Sequence, residues 1–170
     1  MDRTVDAVLL IGGNLGNSAE LCHKAVELIG TETGTITATS ALYGSEAWGF
    51  EAEQHFVNQA VVAKTDLCPT LVLEKALAIE AQLGRTRNGT GYSSRTMDID
   101  IIFYGNQVID NAPKLIVPHP RMHLRNFVLI PLFDIIPDYV HPVFGKTIRQ
   151  LLGECTDTCG VWCLQPSYIG

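Results

Sequence analysis

The hydrophobic period of this chain switches back and forth between two values, and the order of the switches restricts the fold to a small set. Val5–Ile11 is a short apolar run ending in Gly12-Gly13-Asn14, which reads as a buried strand leaving through a turn. Leu21, Ala25, Leu28 and Ile29 then share one helical face, with Asn17 and Glu20 at capping-box spacing ahead of it and Gly30 as a stop. Thr35–Tyr43 and Phe56–Lys64 read as strands on either side of a polar stretch. Pro69 suits the first position of a second helix, whose stripe is Val72, Ala76, Ile79 and Leu83 and whose end is Gly84. Met97–Tyr104 is the next strand, and Asn126–Ile136 is a short helix interrupted by Pro131. The order β-α-β-β-α-β with a C-terminal extension predicts an α+β, ferredoxin-like fold: an antiparallel sheet with two helices on one face. That architecture hosts many unrelated functions, so the chemistry must come from particular residues.

Length and composition narrow the class. With 170 residues, 46% of them apolar, the chain can build a real core as a single domain over 1–170. No apolar run is long enough to span a bilayer, and Met1–Val5 lacks the basic start of a secretory leader, so a cytoplasmic protein is expected. A net charge of −6 argues against nucleic acid as a partner. Five of the seven arginines nevertheless fall between residues 85 and 125, and with Lys114 and three aspartates they give that segment a charge of +3. A basic island on an acidic protein suits a small polyanion such as phosphate; the alternative is arginines spread over a solvated surface. The tail thiols Cys155, Cys159 and Cys163 lack the histidine support of a zinc site and read as incidental.

The sharpest chemical signal lies in Arg95-Thr96-Met97-Asp98-Ile99-Asp100-Ile101-Ile102. In a strand, Asp98 and Asp100 project to one side while Met97, Ile99 and Ile101 project to the other. Two adjacent carboxylates repel unless a cation joins them, and one or two carboxylates completed by water and phosphate oxygens are a usual magnesium donor set. The plainer reading is an Asp-x-Asp on the wet face of an edge strand. The loop leading into this strand carries Arg85, Arg87 and Arg95 and is punctuated by glycine, a composition fit for a phosphate-covering loop. No Walker A motif and no protein-kinase motif set is present. His119 is held between Pro118 and Pro120, placed either to bind a ligand or simply to cap a loop. Phe56 and Phe127 read as core by periodicity. Competing functions on these grounds are another magnesium-dependent phosphoryl or nucleotidyl transferase, and a non-catalytic small-ligand module.

Several ordered segments resemble the 6-hydroxymethyl-7,8-dihydropterin pyrophosphokinases. They include Ile11-Gly12-Gly13-Asn14-Leu15-Gly16, Phe56-Val57-Asn58 and Leu83-Gly84-Arg85-Thr86-Arg87. They continue with the Arg95–Ile101 run, Val117-Pro118-His119-Pro120-Arg121-Met122 and Arg125–Leu132. The likeness spans about residues 6–152 and leaves 153–170 as a tail. It implies transfer of the β,γ-diphosphate of ATP to the pterin hydroxymethyl group, giving AMP, in folate biosynthesis. Carried over position by position, Asp98 and Asp100 would bind two Mg²⁺ ions, and Arg85 and Arg95 would join them as catalytic groups. Glu80, Arg87, Arg95, Ile101, His119 and Arg125 would contact ATP. Ser45, Ala47, Trp48, Phe56, Asn58, Tyr92 and Phe127 would contact the pterin, with the two phenylalanine rings enclosing it. The implied protein is a monomer, with at most weak self-association, acting on these two small molecules. The chain departs from the family pattern at Gly13, where serine is usual, at Ala47, where proline is usual, and at Ser93-Ser94, ahead of the loop arginine.

Overall fold

A computed structural model describes residues 3–14, 18–46, 55–84 and 97–165. The first half follows the expected order: β1 (Val5–Gly13), α1 (Ser18–Glu32), β2 (Thr35–Thr39), β3 (Leu42–Ser45), β4 (Phe56–Thr65), α2 (Pro69–Gln82) and β5 (Asp98–Tyr104). The run expected as one strand from Thr35 is thus two, broken at Ser40-Ala41, and both pieces pair with β4. Beyond β5 lie a small hairpin of β6 (Ile109–Asn111) and β7 (Leu115–Val117), then α3 (Asn126–Ile135), α4 (Ile148–Glu154) and β8 (Val161–Gln165). The main sheet runs β5-β1-β4-β3-β8, antiparallel throughout, with β2 also bonded to β4.

Helices cover both faces of this sheet, which corrects the expectation of one covered face. Ala7, Leu9 and Ile11 of β1 point into a core with Cys22, Ala25 and Ile29 of α1 and Val72, Ala76 and Ile79 of α2. Val8 and Leu10 point the other way, into a second core with Val128, Leu129 and Leu132 of α3 and Ile148 and Leu151 of α4. Leu129, Leu132 and Ile148 are each fully buried, a contribution of about 1.5–3 kcal/mol apiece that holds the second layer down. The unbroken burial of residues 7–11 is the mark of a strand sandwiched between layers.

Local details follow from the residues. Pro69 opens α2 where its missing N–H costs nothing, and Gly84, at φ 94°, ends the last turn. The α1 stripe is turned slightly from expectation: Cys22 is buried, whereas Leu21 and Leu28 flank the seam. Gly30 does not stop that helix. Gly34 is the close-approach glycine instead, since a Cβ there would meet the Lys64 carbonyl oxygen at 2.3 Å. Thr147 and Gln150 form a reciprocal capping box at the start of α4. The segment expected as a featureless tail becomes β8, the outer neighbour of β3. No helix among the described residues is long and apolar enough to cross a membrane.

Candidate active site

Register builds the site. Gly12 on the central strand lies opposite Asn58 on β4 and opposite Asp98 on β5. Two residues earlier, Leu10 lies opposite Ala60 and Asp100. Directly opposed residues of antiparallel strands share a face. Leu10 belongs to the α3/α4 side, so both rows face that side. There α3 and α4 leave the sheet uncovered, and a cavity of about 370 Å³ opens over Leu10, Gly12, Asn58, Asp98 and Asp100. The start of α3 supplies one wall through Arg125 and Phe127, the end of β3 another through Ser45 and Glu46, and His119 to Arg121 a third.

On β5 the burial alternates, with Asp98 half-buried, Ile99 buried and Asp100 exposed, until an irregularity opposite Val8–Leu9 lets Ile102 and Phe103 both enter the second core. The carboxylates therefore occupy the open half of a strand whose other half is enclosed. Among the described residues no three His, Cys, Asp or Glu side chains gather to enclose an ion. Asp98 and Asp100 form instead a two-carboxylate, oxygen-only shelf on the cavity, a donor set that fits Mg²⁺ completed by water and phosphate oxygens.

At the other end, Asn58 is 3% exposed and donates from Nδ2 to Ser45 Oγ at 2.8 Å. That bond fixes the amide and leaves Oδ1 on the Gly12 side, 3.0 Å from where a Cβ of residue 12 would stand. Phe56 alternates with Asn58 along β4 and faces the same cavity, as does Phe127 from α3, whose ring lies 5.5 Å from the Arg125 guanidinium carbon. Both rings are half-buried, and Phe127 also packs against the second core, so periodicity, which read both as core, described only part of their surroundings.

His119 is tethered through its backbone N–H to the Ile102 carbonyl at 3.0 Å, and its Nδ1 accepts from the Arg121 backbone N–H at 3.2 Å. The neutral ring thus carries its proton on Nε2, available as a donor. Burial lowers its pKa; Asp100 opposes that shift, while Arg125 and Arg121 reinforce it.

Of the residues anticipated from sequence, Ser45, Phe56, Asn58, Asp98, Asp100, His119, Arg125 and Phe127 converge on this cavity. Ala47, Trp48, Arg85, Arg87, Tyr92 and Arg95 lie outside the described residues. Glu80 and Ile101 are not among its lining residues. Ile101 packs its side chain into the α1/α2 core, and Glu80, 4% exposed on α2, accepts the Ile99 backbone N–H at 2.8 Å. Glu80 thereby grips the strand between the two aspartates. Gly12, Glu46 and Arg121 were not anticipated. Arg121 sits within the His119 motif and could have been noticed there, whereas Gly12 reveals its part only through register.

Residues 8–137 match the model of the 7,8-dihydro-6-hydroxymethylpterin-pyrophosphokinase (HPPK) family. The chain belongs to the HPPK family. It is 38% identical over 161 residues to the 2-amino-4-hydroxy-6-hydroxymethyldihydropteridine pyrophosphokinase of Synechocystis sp., covering 94% of this chain and 80% of that protein. The Porphyromonas gingivalis protein of the same name is 39% identical over 136 residues, covering 79% of this chain and 92% of its own length. Among solved structures, a triple mutant of Plasmodium falciparum HPPK-DHPS with pteroate superposes with a TM-score of 0.72 at 21% identity, over 89% of this chain and 43% of that one. The likeness to that longer chain is one of fold. The HPPK match ends at Pro137, so α4 and β8 lie beyond it.

Proposed function

We propose that this chain transfers the β,γ-diphosphate of ATP to the hydroxymethyl group of 6-hydroxymethyl-7,8-dihydropterin, giving AMP and the pterin diphosphate in folate biosynthesis. Membership of the HPPK family supports the reaction. The observation that carries it in the structure is one cavity lined by a fixed amide and two aromatic rings together with a pair of carboxylates. We also read the seven elements from β1 to β5 as a ferredoxin-like unit, a reading supported by the order β5-β1-β4 with β2 and β3 outside β4.

Asn58 keeps Oδ1 and one N–H of its amide for the pterin edge, and Phe56 and Phe127 take the ring faces. The flat heterocycle is then oriented with its hydroxymethyl arm toward Asp98. Asp98 and Asp100 would hold two Mg²⁺ ions, which when bound neutralise triphosphate charge and acidify the attacking hydroxyl. The His119 Nε2–H and the Arg121 and Arg125 guanidiniums face the same space and would hold ATP phosphates by charge-assisted hydrogen bonds. Arg85, Arg87 and Arg95 belong to the same reading as further phosphate partners, with Glu80 and Ile101 on the ATP side and Ala47, Trp48 and Tyr92 on the pterin side. The hydroxyl oxygen bonds in line to the β-phosphorus as the bond from that phosphorus to the bridging α-phosphate oxygen breaks; AMP leaves with that oxygen and the hydroxyl proton passes to solvent water. The residues contribute mainly position and charge, the usual demand of phosphoryl transfer. The reading makes the protein a cytoplasmic monomer acting on small molecules.

The test is a nucleotide product assay with ATP, Mg²⁺ and the pterin. AMP is expected only when metal and pterin are both present and should disappear with EDTA. ADP as the product, or AMP formed without pterin, would overturn the proposal.

A further inference from the structure

The segment after α4 touches both walls of the cavity. Helix α3 begins at Asn126 with no side-chain cap from its own N-terminal residue and no acidic side chain in its first turn. Asp157, thirty-one residues later, supplies what is missing. Its Oδ2 accepts the Asn126 backbone N–H at 2.9 Å, and its own carbonyl accepts Asn126 Nδ2 at 2.8 Å. A carboxylate at a helix start satisfies a free N–H and favours the positive end of the helix dipole. Asn126 stands between Arg125 and Phe127, the two α3 residues that line the cavity.

The second oxygen of Asp157 reaches onward. Oδ1 accepts the Cys159 backbone N–H at 3.0 Å, fixing a turn that delivers Cys159 and Gly160 to the end of β3. There Cys159 Sγ donates to the Glu46 carbonyl at 3.4 Å, and the Glu46 N–H donates to the Gly160 carbonyl at 3.1 Å. β8 then continues along β3, with Val161 opposite Ser45 and Trp162 opposite Gly44. Ser45 is the hydroxyl that fixes Asn58, and Glu46 lines the cavity.

We propose that residues 155–161 form a strap joining the start of α3 to the end of β3, with Asp157 as a positioning residue for Phe127 and Asn58. Asp157 touches no substrate; it sets the separation of the walls that do. The inference about catalysis rests on the pterin reading above, whereas the mechanical link does not.

Asp157→Ala, Asp157→Asn and a control, Ile29→Val in the opposite core, are compared by steady-state AMP formation, thermal denaturation and amide hydrogen exchange at Glu46. Loss of a helix cap predicts that Asp157→Ala raises the pterin KM about five-fold, leaves kcat within about two-fold, and speeds exchange at Glu46. Asp157→Asn, which keeps one acceptor for Asn126, should fall between. Ile29→Val should lower Tm without moving KM or Glu46 exchange. Unchanged Glu46 exchange in folded Asp157→Ala would overturn the strap, as would an unchanged pterin KM in an active enzyme or an equal KM rise in the control. If the wild type makes no AMP while Asp157→Ala still speeds Glu46 exchange, the proposed function falls and the strap stands.

Discussion

Replacing Gly12 with alanine should damage pterin binding while sparing the fold. Gly12 is not at positive φ, so alanine is compatible with its backbone, and the position matters for the space it leaves. The added methyl would stand 3.0 Å from Asn58 Oδ1 and 3.7 Å from the Val57 carbonyl oxygen. The first contact requires the amide to yield by a few tenths of an ångström. Asn58 has little freedom to do so, being 3% exposed and bonded to Ser45 Oγ at 2.8 Å. Moving it strains or breaks a buried hydrogen bond, at about 1–3 kcal/mol. The same energy appears in binding as an increase in pterin KM of about five- to 150-fold. Gly→Ala in a strand gains roughly 0.5–1 kcal/mol from the unfolded chain, which offsets part of the strain, so Tm should move by only a few degrees. The assay is initial-rate AMP formation over a pterin series at saturating ATP, with a parallel melt. A pterin KM within two-fold of wild type in a folded variant would refute the claim that Asn58 Oδ1 reads the pterin edge beside Gly12.

The two carboxylates should separate activity from stability. Asp98→Asn and Asp100→Asn are each expected to cut AMP formation by on the order of a hundredfold or more in protein that still melts cooperatively; near-wild-type turnover in either would remove it from the metal shelf. Glu80→Ala leaves the Ile99 N–H without its 2.8 Å partner and should cost about 1–3 kcal/mol in denaturant unfolding, and an unchanged midpoint would mean that β5 is held by other contacts. His141 is 3% exposed, and its Nδ1 accepts the Val143 and Phe144 N–H groups, each at 3.1 Å. Burial, helped by neighbouring His123, lowers its pKa below 6.5. Its contribution is therefore complete above about 6.5 and is lost as pH falls toward the folded-state value, because the unfolded chain takes up the proton first. Wild-type Tm should drop more between pH 7.5 and 5.5 than that of His141→Asn, which keeps an acceptor for the two N–H groups without titrating. Equal drops would assign the slope elsewhere.

Much of this was readable from local pattern. The alternation from Met97 to Ile101 by itself puts Asp98 and Asp100 on one side of β5, the side that opens on the cavity. Both α1 and α2 form where their stripes lie, because helix period is a property of neighbouring residues; the Asn17 cap lies outside the described residues. The second helical layer was missed although a clue existed: the continuous apolar run in β1 has no wet side, which a one-layer sheet would have given it. Phe56 and Phe127 were ambiguous because a ring half-buried against a ligand and one buried in a core leave the same mark on a sequence. The places of Asp157 and Glu80 could not be read at all. Each acts on a backbone N–H, and a backbone N–H belongs to every residue but proline, so no residue pattern announces the partner.

The row Asn58–Gly12–Asp98 has one more consequence. Its members sit on adjacent antiparallel strands, so the span between the outer two is two interstrand steps, about 10 Å between Cα atoms. That length is fixed by main-chain hydrogen bonds and is the same whatever side chains the strands carry. The cavity floor is thus graduated like a ruler, with the amide at one mark, the carboxylate at the other and a blank between them. Substitutions can change what is written at each mark, but only an added or removed strand could change the distance.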